Sequence, residues 1–234
     1  MIYNYSMGKS GPKPKSKVRI KWSAKFAYAI GLLATDGCLS TDGRHITLTS
    51  KDIKQLKNFL NCLDIKCKIG TTNNGTGQTA SRVQFGDVLF FQFLESIGLM
   101  KAKSLILGKI LIQDEFFFDF LRGCFDGDGC SYSYWDSRWK SSFMFYISFA
   151  SGSIYFIKWI QKYIMSKIGI SGHIAISSNR TNPYYQLKYA KKEGLEIVKK
   201  MYYNQDVVCL SRKYKKIQKS LIINNKQQKR YFDK

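Results

Sequence analysis

Hydrophobic and polar positions along this chain switch repeatedly between a helical period and a strand period. "AKFAYAIGLLAT" is apolar on nearly every side, follows Ser23 as an N-cap and predicts a buried helix ending near Asp36. "CLSTDGRHITLTS" alternates with period two, which predicts two short strands around an Asp-Gly turn, with Ile46 and Leu48 inward and His45, Thr47 and Thr49 outward. "KDIKQLKNFLNCLDI" returns to helical spacing, "KCKIGTTNNGTGQTASRVQFGD" reads as a second strand pair with Val83 and Phe85 inward, and "VLFFQFLESIGL" as another helix.

After Asp114 the order restarts. "EFFFDFLRGCF" predicts a buried helix, "CSYSYWDSRWKSSFMFYISFAS" a long hairpin and "SIYFIKWIQKYIMSKIGI" an amphipathic helix. "GHIAISSNRTNPYYQLKYA" predicts a hairpin turning at Asn182-Pro183, and the helices "KKEGLEIVKKMYY" and "SRKYKKIQKSLII" follow. Asp128 lies 92 residues after Asp36, and Ser151 lies 101 after Ser50; a longer first hairpin in the second half accounts for the drift. The expectation is an α+β chain of two pseudo-symmetric αββαββα repeats, face to face about a pseudo-twofold axis. Its divisions are a flexible basic arm at 1–21, a first repeat at 22–99, a linker at 100–114, a second repeat at 115–224 and a basic tail at 225–234.

Charge narrows the partner. Thirty-eight Lys and Arg against 16 Asp and Glu give +22, a self-repulsion rarely kept without a polyanion to offset it. Nucleic acid fits better than an anionic membrane, because the basic residues sit among alternating patterns and not along one amphipathic helix. No apolar run approaches the roughly 18 residues of a membrane span, and the amino terminus has no secretory core. Its basic, acid-free start is compatible with a mitochondrial presequence. The expected setting is intracellular: mitochondrion, chloroplast or bacterial cytoplasm, since Lys, Ile, Asn, Tyr and Phe abound as in AT-rich genes.

Several motifs are rejected on spacing. The six cysteines form no CxxC, so reduced buried thiols are expected in place of zinc or disulfides. His45 and His173 are isolated strand residues. "GKS" at 8–10 lacks the earlier glycine of a phosphate-binding loop, with Tyr3 in its place. The run from Asp126 fails as a calcium loop, because Cys130 occupies the next ligand position and no glutamate closes it.

The chemistry concentrates in "AIGLLATDG" (29–37) and "LRGCFDGDG" (121–129). Gly31 and Gly123, with Ala27 and Ala34, would let two helices pack with their backbones close, each presenting one carboxylate at its C-terminus. The helix dipole disfavours a carboxylate there, so the pair Asp36 and Asp128 should attract a divalent cation with waters and phosphate oxygens, the equipment for in-line phosphodiester cleavage. Asp126 has Ala34 as its counterpart and is expected to be structural.

These two segments resemble the nine-residue motif of the LAGLIDADG homing endonucleases, and the helix and hairpin order extends the resemblance over nearly the whole chain. Ala34 departs from the acid at the sixth motif position, while the eighth, the catalytic acid, is intact in both copies. The resemblance implies a monomeric single-chain endonuclease that makes a staggered double-strand break in a nearly palindromic duplex of about 20 base pairs, its acids meeting over the minor groove. It implies magnesium, with manganese or calcium able to substitute in binding, on Asp36, Asp128, Thr35 and Gly127. It also implies basic catalytic residues, Lys103 and Lys213, and water-positioning residues, Ser50 and Ser151. Saddle-shaped antiparallel sheets would lie in the major groove, addressing bases and phosphates through Ser40, Arg44, Thr47, Lys66, Lys68, Arg82 and Gln84. In the second half the corresponding set is Tyr132, Arg138, Lys140, Ser148, Ser177, Asn179, Arg180, Gln186 and Lys188. The alternative function is an intron maturase on the same scaffold, with host intron RNA as partner; a non-catalytic DNA-binding regulator is a third class. An intein is disfavoured, as the chain lacks an N-terminal Cys and a terminal His-Asn.

Overall fold

The computed structural model describes residues 16–73, 77–177 and 184–232, with side chains to residue 225. The basic arm before residue 16, Asn179, Arg180 and the Asn182-Pro183 turn lie outside the described residues. Two repeats follow one another in the expected order. The first comprises α1 (Ala24–Asp36), β1 (Gly37–Leu39), β2 (His45–Ser50), α2 (Ile53–Leu63), β3 (Ile69–Asn73), β4 (Thr79–Gly86) and α3 (Val88–Ser96). The second comprises α4 (Phe117–Asp128), β5 (Cys130–Trp135), β6 (Phe143–Ser151), α5 (Ile154–Ile168), β7 (His173–Ser177), β8 (Tyr184–Ala190) and α6 (Lys191–Met201), and α7 (Ser211–Phe232) closes the chain.

Each repeat builds one four-stranded antiparallel sheet, in the orders β1-β2-β4-β3 and β5-β6-β8-β7. Register explains the alternation in the sequence. Ile46 faces Phe85 and Leu48 faces Val83 across β2 and β4, and these four form the buried side of the first sheet. Phe145, Ile147, Phe149, Leu187 and Tyr189 do the same in the second. The opposite faces carry Thr47 beside Gln84 and Thr49 beside Arg82, and Tyr132 beside Tyr146 and Ser148 beside Lys188.

The helix pair α1 and α4 forms the joint between the repeats. Ser23 caps α1 by accepting from the Phe26 amide at 3.1 Å, a contribution of about 1 kcal/mol. A Cβ on Gly31 would collide with the Phe120 carbonyl oxygen, and one on Gly123 with the Tyr28 carbonyl oxygen and, at 3.0 Å, with the Gly31 Cα. Only glycine permits this approach. Fully buried Arg122 ties α4 to the end of the second repeat, donating to the Val208 carbonyl at 2.9 Å, the Met201 carbonyl at 2.5 Å and Asp119 at 2.6 Å.

Two boundaries differ from the sequence reading. The arm is docked from Lys17: the Lys17 and Val18 amides donate to the Asp87 carboxylate at 2.7 and 2.9 Å, and Val18 is buried. Asp87 itself N-caps α3, so one carboxylate fixes both segments. The linker contains a 3-10 turn, Lys103–Leu105. The expected tail is helical, because α7 continues to Phe232.

Candidate nuclease centre and nucleic-acid face

Asp36 and Asp128 end α1 and α4, which places both carboxylates on the same end of the joint, where β1 and β5 leave for the sheets. The two sites interlock. A Cβ on Gly127 would clash with the Thr35 side chain and come within 3.0 Å of Asp36 Oδ2. A cleft of about 740 Å³ is lined by Asp36 together with Gly127, Ser50, Gln55 and Arg212. A smaller cleft of about 100 Å³ is lined by Asp128 together with Thr35, Lys103, Ser151 and Phe156. Each cleft thus takes its acid from one repeat and a neighbouring residue, Gly127 or Thr35, from the other.

Electrostatics match the crowding. Burial, and then the charge of Asp128, push the Asp36 carboxyl up to about 6, against the pull of a Gln55 hydrogen bond and of Lys213 and Lys103. Desolvation also raises Asp128, again opposed by the two lysines. Two carboxylates that resist ionising together favour a cation between them.

Lys103 and Lys213 occupy equivalent positions, and their geometry is more specific than the sequence suggested. Lys103 Nζ donates to the Thr35 and Gly37 carbonyls at 3.2 and 2.7 Å. Lys213 Nζ donates to the Phe125, Gly127 and Gly129 carbonyls at 2.7, 2.8 and 2.7 Å, which uses all three of its protons. Both lysines therefore cap the C-terminus of their own repeat's helix, where the dipole favours a cation, and burial lowers both their pKa values. Their charge reaches the acids through space, while their protons are held by the backbone.

Gln55 was missed by the sequence reading. It is a buried glutamine on the first turn of α2, and its Nε2 donates to Asp36 Oδ2 at 2.6 Å. Ser50 Oγ donates to Gln55 Oε1 at 2.9 Å and accepts from the Asp52 amide at 3.0 Å. Ser50 therefore acts on Asp36 through Gln55. In the second repeat Ser151 accepts from the Ser153 amide at 3.0 Å, and buried Phe156 stands five residues on, where Gln55 stands in the first. The available signal was an amide, Gln55, directly before Leu56 on the apolar stripe of "IKQLKNFL".

On the sheet faces, Thr47, Arg82, Gln84, Tyr132, Ser177, Gln186 and Lys188 take outward strand positions as expected, and Ser148 does so but is buried between Cys130 and Lys188. Ser40, Arg44, Lys66, Lys68, Arg138 and Lys140 do not lie on strands. Asp42 accepts from the Arg44 and His45 amides, and Asp136 from those of Arg138 and Trp139, so side-chain turns end the strands earlier than the alternation implies. Lys66 and Lys68 follow the left-handed Asp64 cap of α2. These basic residues ring the sheets. Thr49 is outward as the alternation implied, while outward Tyr134, Met144, Tyr146 and His173 were not named as contact residues from the sequence.

The hard-oxygen donor set suits a magnesium-like cation. Among the described residues no cluster of three or more His, Cys, Asp or Glu forms a closed metal cage; the Thr35 and Gly127 carbonyls accept from the lysines, so two acids would carry the site and leave the remaining positions to water and phosphate.

The duplicated unit, the glycine-joined helix pair and the acids at its end define a two-repeat LAGLIDADG fold. The chain resembles the I-LtrWI LAGLIDADG homing endonuclease bound to target DNA, with 12% identity, a TM-score of 0.57, and coverage of 88% of this chain and 91% of that one. It resembles I-DmoI in complex with DNA and Ca, with 12% identity, a TM-score of 0.51, and coverage of 78% and 91%. The N-terminal LAGLIDADG domain of DUF199/WhiA is similar at 14% identity and a TM-score of 0.50, with coverage of 80% and 85%. Identities this low carry the fold alone. No protein-family model matches the chain, and no curated protein matches it in sequence. No helix among the described residues is long and apolar enough to cross a membrane.

Proposed function

We propose that the chain is a monomeric, site-specific DNA endonuclease that makes a staggered double-strand break in a nearly palindromic duplex of about 20 base pairs. The observation that carries this reading is the placement of Asp36 and Asp128 together, on helices whose next residues enter two outward-facing sheets. A net charge of +22 supports a polyanionic substrate.

Magnesium would be held by Asp36 and Asp128, since the Thr35 and Gly127 carbonyls accept from Lys103 and Lys213, and when bound would supply Lewis-acid polarisation of the scissile phosphate. The chain's own residues prepare the site. Gln55 fixes one Asp36 oxygen, leaving the other to face the cleft. Lys103 and Lys213 hold positive charge beside the position where phosphate charge develops. Ser50 and Ser151 brace the starts of α2 and α5, and the basic rims contact phosphates outside the sheets.

Asp36→Asn and Asp128→Asn test the assignment. Each should retain duplex binding and lose cleavage by at least about a hundredfold, measured on a target selected from a randomised library with and without magnesium. Unchanged cleavage in either variant would remove the paired acids from the mechanism.

A further inference from the structure

The two outward sheet faces differ in chemistry, although the repeats share one fold. The centre of the first offers hydrogen-bonding groups: Arg82, Gln84, Thr47 and Thr49, with both long side chains exposed. In the second, β5 and β6 present Tyr132, Tyr134, Tyr146 and Met144. The Tyr132 and Tyr146 rings stack at 4.9 Å and 12°, and Tyr134 and Tyr146 at 6.3 Å and 10°. The rings therefore stand parallel as one upright ridge. Stacking covers part of the ring faces, and the ring edges, hydroxyls and remaining faces form the outer surface; Tyr134 is 47% exposed.

A ridge of this kind is a poor partner for most base edges. It offers no fork of donors for guanine and no amide for adenine. Thymine alone among the DNA bases carries a methyl group in the major groove, beside an oxygen acceptor. An apolar ring edge tipped by a hydroxyl complements that pair of groups, and Met144 adds adaptable apolar surface. Position follows from strand geometry. Tyr134 lies six residues beyond Asp128, a rise of about 20 Å or about six base-pair steps.

We propose that the tyrosine ridge of the second sheet reads thymine methyl groups, so that one half of the target carries a run of thymines within about six base pairs outward from the cleavage centre. The other half, under the first sheet, is read by hydrogen bonds. This inference rests on the nuclease reading above and names the substrate that reading leaves open.

The test uses the full chain and a cleavage-selected duplex. Each thymine is replaced by deoxyuridine, which lacks only the methyl group, in one half at a time, and affinity is measured by competition in calcium. Uracil in the second-sheet half should weaken binding about fourfold per methyl lost, and uracil in the other half by much less. Arg82→Ala identifies the first-sheet half by relaxing base choice there. The surface variant Tyr134→Ser should reduce discrimination between thymine and uracil in its half, while Tyr134→Phe keeps it. Equal uracil effects in both halves, a selected half-site without thymine, or full discrimination in Tyr134→Ser would overturn the proposal and leave the nuclease reading intact. Failure to select any cleaved or bound duplex would overturn both.

Discussion

At the scale of single residues, the two acids are identical in kind but not in surroundings. Asp36 is held by Gln55 at 2.6 Å, and the second repeat has Phe156 at the matching place. Gln55→Leu should therefore slow cleavage of one strand about tenfold, the weight of one hydrogen bond to a charged group, and leave the other strand nearly unchanged. End-labelled nicking of each strand measures this. Asp126 has a different duty. It accepts from Tyr28 Oη at 2.7 Å and the Leu210 amide at 2.6 Å, has one oxygen without a partner, and is raised to about 6 chiefly by burial. A raised folded-state pKa favours the protonated form. Its stabilising contribution is complete below the unfolded value near 3.8 and disappears as pH rises through about 6, a change of about 3 kcal/mol. Asp36 shifts in the same direction. Thermal unfolding in chelator should show stability falling between these pH values, with a shallower slope in Asp126→Asn.

At the scale of elements, the α1–α4 joint is the least tolerant part. Gly123→Ala puts a methyl group onto the Tyr28 carbonyl, and overpacking of this kind costs about 1–3 kcal/mol or more. The expected outcome is a lowered melting temperature together with slower cleavage of both strands, in contrast to the single-strand effect at Gln55. Helices and strands were largely legible, because buried stripes such as Ile46 and Leu48 repeat with the period of their element. The ends of strands were less so. Asp42 and Asp136 fold back on their own backbone, and nothing in an alternating pattern shows where such a turn will outcompete the ladder. The lysines were legible as basic residues near the acids, but their carbonyl partners depend on a fold that returns residue 213 to residues 125–129. Gln55 was hidden by its position on an apolar helix face.

At the scale of the whole molecule, charge governs association. Duplex binding should weaken steeply with salt: a surface that neutralises about 6–10 phosphates loses about 10³–10⁵ in affinity between about 50 and 200 mM, which a competition titration over that range measures. A slope near zero would mean that the basic rims do not meet the backbone.

The repeats are joined by main-chain atoms, Gly31 against Phe120 and Gly123 against Tyr28. The seam consists of these main-chain approaches and the buried Tyr28–Asp126 hydrogen bond, and none of them uses a side chain that the sheets display. Mutation can rewrite one sheet toward hydrogen-bonding groups and the other toward tyrosine without loosening the seam. On the nuclease reading, the chain would carry two independently editable reading faces on one seam, and a target could drift in one half while the other half and the cutting centre stay fixed.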